Sequence, residues 1–460
     1  MLRIFKHYVP TSLILLMLVE IAVLYFSFYG AVQIRFIDSA MLVRHKLDPL
    51  APKASIFALV MFFSMTAVGL HTRNLENDFA DVMIRIFLSY AMGFIGITMV
   101  YYVYPELFAG RGIVALTLLI SFFGILITRI IYQKIYGHKI FRRKILVLGT
   151  GNKAKILEDM KSRFATRGLD IVGFISVNLD IPKIKIDQLV EVKSTIFDHI
   201  ISHDIDEVVI AMDDRRQGFP VVELLQCKMY GIEIWDIVGF LERATGHIEL
   251  NALHPSDFIF SDTALPGIGK RAIDIIVSFT ILLITSPIMI LTAAMIWLST
   301  LGRDPVFYRQ TRVGNCGQPF QVLKFRSMKV NAEENGAQFA VKKDSRVTLI
   351  GKLIRKMRID ELPQLINVLR GDMSFVGPRP ERPEFVSTYE QNIPHYKLRH
   401  TVKPGITGWA QISYPYGDTE KDTRNKLQYD LYYIKNYGVF FDLTIVVQTM
   451  QVVLFGQGAR

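Results

Sequence analysis

Apolar stretches long enough to cross a bilayer are the strongest constraint on this chain. Four lie near the N-terminus, running roughly from Thr11 to Ile34, Ala51 to Leu70, Val82 to Tyr104 and Gly112 to Tyr132. Each has about 20 residues, which matches a hydrocarbon core about 30 Å thick at 1.5 Å of helix per residue. The first stretch is too long for a signal peptide and lacks a small-x-small cleavage site, so it reads as a span. Glu20 lies inside it. A carboxylate there marks a function, or finds a partner within the bundle or near the interface.

Orientation follows from Lys and Arg. Arg3 and Lys6 precede the first span, and Lys134, Lys139, Arg142, Arg143 and Lys144 follow the fourth. Both ends therefore read as cytoplasmic. Arg35, Arg44, Lys46 and Lys53 in the first loop dissent, but the cluster after the fourth span is denser.

Composition then divides the chain. Hydrophobic residues make up 51% and charged residues 21%, yet 53 Lys and Arg against 42 Asp and Glu leave a formal charge of +11. A disordered chain, a disulfide scaffold and a collagen-like fibre are excluded. Membrane segments joined to basic soluble domains fit. The two cysteines, Cys227 and Cys316, form no Cys-x-x-Cys pair and suit a reducing compartment.

After the fourth span the pattern changes. Lys144-Ile-Leu-Val-Leu-Gly-Thr-Gly-Asn-Lys-Ala154 reads as strand, glycine turn and helix start. Further strands are expected at Ile171–Ile175, Glu207–Ala211 and Ile232–Ile237, separated by helices, which predicts a parallel sheet. Gly149, Gly151 and Ala154 match a dinucleotide-binding turn. The ribose-binding acid expected at the end of the second strand is missing; Ser176, Val177 and Asn178 stand there. A Rossmann-like domain that binds nothing, or a regulatory ligand, fits these residues better than hydride chemistry.

A linker follows, with His254, Pro255, Ser256, Asp257, Pro266 and Gly267. The chain is then uncharged from Ile275 to Gly302, with Ser286-Pro287 near the middle. Proline removes a helix hydrogen bond and kinks the chain. Lys270 and Arg271 before the stretch and Arg303 after it suit a re-entrant helix–break–helix entering and leaving on the cytoplasmic side. A fifth span with a proline kink is the alternative.

The rest is dense in cations interleaved with glycines, among them Arg309, Arg312, Lys324, Arg326, Lys329, Arg346, Lys352, Arg355, Lys356, Arg358, Arg370, Arg379 and Arg382. Such residues lie on anionic lipid or clamp phosphate. No helix-turn-helix, zinc or RNA-binding signature points to nucleic acid. Asp360-Glu361 sits within Arg355-Lys-Met-Arg-Ile-Asp-Glu-Leu-Pro-Gln364. Alone, such a pair is usually a solvated surface feature. At a helix start among cations it can meet a metal ion or attack phosphorus as an ionised carboxylate. The final apolar stretch, Tyr437 to Phe455, suits an interfacial helix or a buried core helix equally.

The ordered motifs Lys270-Arg271-x-x-Asp274, Ser286-Pro287, Tyr308-Arg-Gln-Thr-Arg-Val-Gly314, Lys324-Phe-Arg-Ser-Met328, Asp360-Glu361-Leu-Pro-Gln364, Gly371-Asp-Met-Ser-Phe-Val-Gly-Pro-Arg-Pro380 and Lys403-Pro-Gly-Ile-Thr-Gly-Trp-Ala-Gln411 resemble the bacterial sugar transferase family. These are polyprenyl-phosphate hexose-1-phosphate transferases, also called monotopic phosphoglycosyl transferases. The resemblance covers about 268–460, and the preceding bundle and middle domain resemble the long members.

The architecture it implies is a multi-domain membrane protein. A four-helix transmembrane bundle (1–140) precedes an α/β Rossmann-like domain (144–255) and an α-rich monotopic catalytic domain (268–460) with a re-entrant helix near 272–300. The implied activity moves a sugar-1-phosphate from a UDP-sugar to undecaprenyl phosphate, through a phosphosugar–aspartate. Asp360 would attack, Glu361 would bind metal or orient the site, and both would hold Mg²⁺. Arg379, flanked by Pro378 and Pro380, would hold phosphate, with Lys324, Arg326 and Arg355 as further substrate contacts. Ser286 and Pro287 would shape the membrane hairpin. A homodimer in the bacterial inner membrane, with its catalytic face toward the cytoplasm, completes the expectation. Two other readings remain, an NAD-dependent sugar-modifying enzyme built on the middle domain and a non-enzymatic scaffold for polymer export.

Overall fold

The computed structural model describes residues 2–4, 7–9, 11–37, 49–71, 79–137, 142–165, 168–177, 182–192, 194–214, 218–253, 267–330, 332, 346–415, 417 and 419–454. Lys6, Arg44, Lys46, Lys139, Asn178, His254, Pro255, Ser256, Asp257, Pro266 and Phe455 lie outside them. The chain divides into two compact units. One comprises Met1–Arg129 with Ser261–Arg460, and the other Ile130–Phe260.

In the first unit, the four N-terminal stretches form helices Thr11–Arg35, Leu50–Ala67, Phe79–Val103 and Arg111–Gly137. Among the described residues, five helices are long and apolar enough to cross a membrane, the fifth being Ile268–Ser299. Leu24, Phe28, Phe57, Met61, Met65, Ile86 and Ile125 interlock at the centre of the four-helix group. Apolar residues such as Phe26, Phe63, Phe87 and Ile95 stay exposed on its outside, as lipid-facing surfaces require.

Glu20 has its partners inside the bundle. It is fully enclosed, with Arg129 Nε 2.5 Å from Oε1 and His71 Nε2 2.6 Å from Oε2. Arg129 also donates to the Leu70 carbonyl at 2.9 Å. A charge removed from water must be paired in this way. Lys53, expected in an outward-facing loop, is buried within the second helix.

The fifth apolar stretch departs from expectation. Its backbone is helical without interruption from Ile268 to Ser299, with Pro287 inside. The expected break at Ser286-Pro287 is therefore absent as a gap in the helix. Proline deletes one hydrogen bond, and an apolar stretch has no water to satisfy further opened groups, so the helix persists around it. Ser286 Oγ donates back to the Leu283 carbonyl at 2.8 Å.

The cations in the first turn of this helix, Lys270 and Arg271, bond to the C-terminal block. Lys270 Nζ donates to Asp442 at 2.7 Å and to the Val376 carbonyl at 3.1 Å. Arg271 donates to the Val368 and Leu369 carbonyls at 2.6 and 2.8 Å, filling the open C-terminus of helix Gln364–Arg370. Asp274 accepts from Ser374 Oγ and the Phe375 amide. Near the other end, Ile296 packs with Phe325 and Ile354, and Met289 and Ala293 rest against that cluster. Both ends of the helix thus pack on the same C-terminal block. That block is built from the antiparallel hairpin Phe307–Val313/Pro319–Phe325, a short parallel pair Ser374–Val376/Gly405–Thr407, and several helices. The last helix, Val439–Leu454, buries Phe441 and Ile445 completely while Val439, Phe440 and Leu443 remain exposed.

The second unit holds a four-stranded parallel sheet. Its spatial order is Leu169–Ile175, Arg143–Leu148, Glu207–Ile210 and Glu233–Asp236. Strand residues alternate between two cores. Ile145, Val147 and Val209 join one, while Leu146, Leu148 and Val208 join the other. Burial on both faces explains why these strands are continuously apolar. Cys227 is buried here and Cys316 is exposed in the first unit; both are free thiols.

Candidate active site

The Asp-Glu pair sits at a backbone turn built for it. Helix Leu349–Lys356 begins at Thr348, whose hydroxyl accepts the Gly351 amide at 2.9 Å. It ends before Arg358, which takes φ +57°. A non-glycine residue in that left-handed region is costly and is held only by its surroundings. The turn leads into a single 3₁₀ turn, Ile359–Glu361, directly before helix Gln364–Arg370. Buried Asn367 on that helix accepts the Leu323 amide at 3.0 Å and donates to the Gln321 carbonyl at 2.8 Å. The helix after the acids is thereby fixed to the strand that carries Lys324.

The two acids have opposite circumstances. Glu361 Oε1 takes Arg379 Nη2 at 2.8 Å and Lys324 Nζ at 3.3 Å, and Oε2 faces Arg358 Nη1 at 3.6 Å. Burial pushes its pKa up, but Arg379, Lys324 and Arg358 outweigh burial and hold it well below the usual carboxylate range. Asp360 is 9% exposed and makes no side-chain hydrogen bond or ion pair among the described residues. Burial, followed by the Glu361 charge, raises its pKa, against the opposing pull of Lys324, Arg355 and Arg358. One carboxylate is thus locked and ionised, and its neighbour is unengaged and more basic.

Arg379 is itself positioned from behind. Arg399 donates to the Arg379 carbonyl at 2.9 Å and to Tyr396 Oη at 2.5 Å, and pairs with Asp430 at 2.9 Å. Burial raises Asp430 to about 6, against the nearby Arg399 charge. Arg312 donates to the Pro380 carbonyl at 3.0 Å and meets Glu381 at 3.4 Å. Burial lowers both Arg312 and Lys324, with Glu381 and Glu361 respectively opposing that shift.

These groups line a cavity of about 550 Å³. Its described wall holds eleven Lys and Arg side chains against four carboxylates, so it is made for an anion. Asp360, Glu361, Lys324, Arg326, Arg355 and Arg379 all come to it. Arg326 Nε is buried and has no hydrogen-bond partner among the described residues. Pro378 and Pro380 contribute through the backbone, their carbonyls accepting the Gly405 amide and Arg312. Ser286 and Pro287 lie apart, in the long helix.

Arg358 and Arg312 lay inside quoted motifs, and proximity to the acids could have nominated the first. Arg399 and Asp430 carried no signal, since only folding brings them behind Arg379.

Among the described residues, no group of three or more His, Cys, Asp or Glu gathers to hold a metal. Asp360 and Glu361 are the carboxylates that Mg²⁺, which commonly takes one or two and leaves the rest of its shell to water and phosphate oxygens, would use here, with Glu361 already facing Arg379, Lys324 and Arg358.

The fold and cavity define a chain with helices long and apolar enough to cross a membrane and a C-terminal block whose basic cavity holds a carboxylate without a hydrogen bond or ion pair among the described residues. A bacterial sugar transferase model matches residues 266–456. A UDP-glucose:undecaprenyl-phosphate glucose-1-phosphate transferase of Caulobacter vibrioides is 40% identical over 261 residues, covering 51% of this chain and 96% of that protein. The chain belongs to the bacterial sugar transferase family. A UDP-N-acetylgalactosamine-undecaprenyl-phosphate N-acetylgalactosaminephosphotransferase of Aeromonas hydrophila is 43% identical over 249 residues, 54% of this chain and 58% of that one. A UDP-glucose:undecaprenyl-phosphate glucose-1-phosphate transferase of Escherichia coli (strain K12) is 46% identical over 194 residues, 41% of each chain. The chain spans about half the length of these two longer relatives.

Proposed function

We propose that the C-terminal block transfers a sugar-1-phosphate from a UDP-sugar to undecaprenyl phosphate, releasing UMP. This would be the first membrane step of exopolysaccharide, capsule or O-antigen synthesis. The observation that carries the reading is the unengaged Asp360 beside a cation-locked Glu361 in a basic cavity.

In the first step an Asp360 oxygen bonds to the β-phosphorus. The bond from that phosphorus to the bridging oxygen breaks, and UMP leaves with the electron pair. In the second step a phosphate oxygen of undecaprenyl phosphate bonds to the same phosphorus, and the Asp360 carboxylate is released. No proton transfer is required in either step. The raised basicity of Asp360 favours attack. Glu361 stays ionised and holds Arg379 and Lys324 toward the phosphates, where developing charge needs fixed cations. Asp360 and Glu361 would hold Mg²⁺, whose charge would offset that of the diphosphate.

The long helix is read as re-entrant, which would leave Asp360 at the interface where the lipid phosphate lies. Packing of both its ends on one block supports this reading. The location is then the bacterial inner membrane with the catalytic block facing the cytoplasm, and the middle unit is read as Rossmann-like from its parallel strand order. The same reading carries a homodimer.

The deciding assay is UMP release from a panel of UDP-sugars, spanning glucose and N-acetylated sugars, by the full chain in membranes with undecaprenyl phosphate. Without lipid acceptor, labelled sugar phosphate should remain on the wild-type chain and be absent from Asp360→Asn. Full activity of Asp360→Asn would sink the mechanism. Cysteines placed at residues 267 and 302 should both label from the cytoplasmic side, and labelling on opposite sides would overturn re-entry. Particle mass in detergent-free discs tests the dimer.

A further inference from the structure

We infer that the glycine turn of the middle unit is filled by the chain's own carboxylate, Asp213, and takes no dinucleotide. The inference does not depend on the transferase reading.

A dinucleotide would seat its pyrophosphate on the first amides of the helix after the first strand, in the crevice between the first and third strands. Here those amides are in use. Asp213, just beyond the third strand, accepts the Asn152 amide at 2.7 Å and the Lys153 amide at 3.0 Å, one on each oxygen. The Asn152 side chain also donates to it at 3.2 Å. The carboxylate thus meets the helix dipole and caps helix Asn152–Asp159 from outside its own sequence. A second anion would lose those donors and face a like charge.

The glycine pattern is explained by the same contact. A Cβ on Gly151 would lie 2.3 Å from Asp213 Oδ2, whereas its φ of −84° is open to any residue. Gly149 has φ +123°, and a Cβ there would lie 2.6 Å from the Ala211 carbonyl oxygen. That glycine lets the ends of the first and third strands approach. Ala154 is fully buried in the core beneath the sheet. Each small residue of the motif therefore serves the fold. The Thr150 hydroxyl has no partner among the described residues, but Thr150 is fully enclosed and out of a ligand's reach. The missing acid after the second strand is then expected, since no ribose needs holding.

The test uses the full chain in lipid nanodiscs, with NADH as the probe and hydrogen exchange as the readout. Exchange reports the turn itself, separately from any binding in the basic cavity. The Asn152 and Lys153 amides should be protected without NADH and unchanged with it at millimolar concentration. Asp213→Gly should lose that protection and lower the melting temperature by a few degrees. Gly151→Ala should cost a similar few degrees with Asp213 present and little in the Asp213→Gly background, because the clash partner is gone. Added protection of the turn by NADH in the wild type would overturn the inference. So would unprotected amides in the wild type, or additive costs in the double variant.

Discussion

The C-terminal block and the middle unit each carry a pattern associated with phosphate, and they treat it in opposite ways. In the middle unit the helix amides are satisfied by Asp213. In the C-terminal block the cations crowd a cavity, and Asp360 is left without a hydrogen bond or ion pair among the described residues. The difference teaches that a motif becomes a site where the fold leaves its charges unsatisfied. A motif whose donors are filled internally is a structural joint.

The comparison is most exposed to Asp360→Asn. UMP release should fall by roughly 10⁴-fold or more, as for removal of an attacking group, while thermal stability should hold. A variant with substantial turnover would make Asp360 no different in kind from Asp213. Arg379→Ala comes next. It removes a fixed cation from the developing charge and should lower kcat by about 10²–10³-fold, with Arg379→Lys recovering part of it.

Asp430→Asn tests the support behind Arg379. It removes the Arg399 ion pair, so UMP release should fall as Arg379 is held less firmly, and thermal unfolding against pH reads the effect on stability. Its pH signature is distinctive. The folded-state pKa of Asp430 is raised from 3.8 to about 6. The resulting contribution to stability is full below about pH 4 and is lost as pH rises through 6. The Asn variant should lack that decline.

The smallest effect expected is a displacement of the acid limb. Turnover requires ionised Asp360, so UMP release should fall on acidification at a higher pH than for an ordinary aspartate. Lys324 pulls the Asp360 pKa down. Lys324→Met should therefore move the limb to higher pH, besides lowering the maximum rate. A limb that moved to lower pH would break the electrostatic account.

The sequence carried the four N-terminal apolar helices to within about five residues at each end, because a run of about 20 apolar residues has few other fates. It also carried the four parallel strands and the neighbourhood of Asp360, where the order of motifs was informative. It did not show what Lys270 and Arg271 bond. As cations before an apolar stretch they look like interface markers, and in the fold Lys270 is buried against Asp442 while the half-buried Arg271 donates to the end of helix Gln364–Arg370. Hydropathy cannot tell a cation facing headgroups from one facing carbonyls. Ser286-Pro287 also predicted a break where the backbone stays helical, since local propensity ignores the cost of opening backbone groups away from water.

Sequence alone determined what kinds of surface this chain must hide and where its charges lie along the chain. Tertiary structure decided which charges meet. Glu20 found Arg129, Asp213 found the glycine turn, Asp430 found Arg399, and Asp360 found no hydrogen bond or ion pair among the described residues. Apolar burial depends on composition over a window, which a sequence displays. Coulombic and hydrogen-bond partnership depends on distances of a few ångströms between residues far apart in the chain, and only the folded chain sets those.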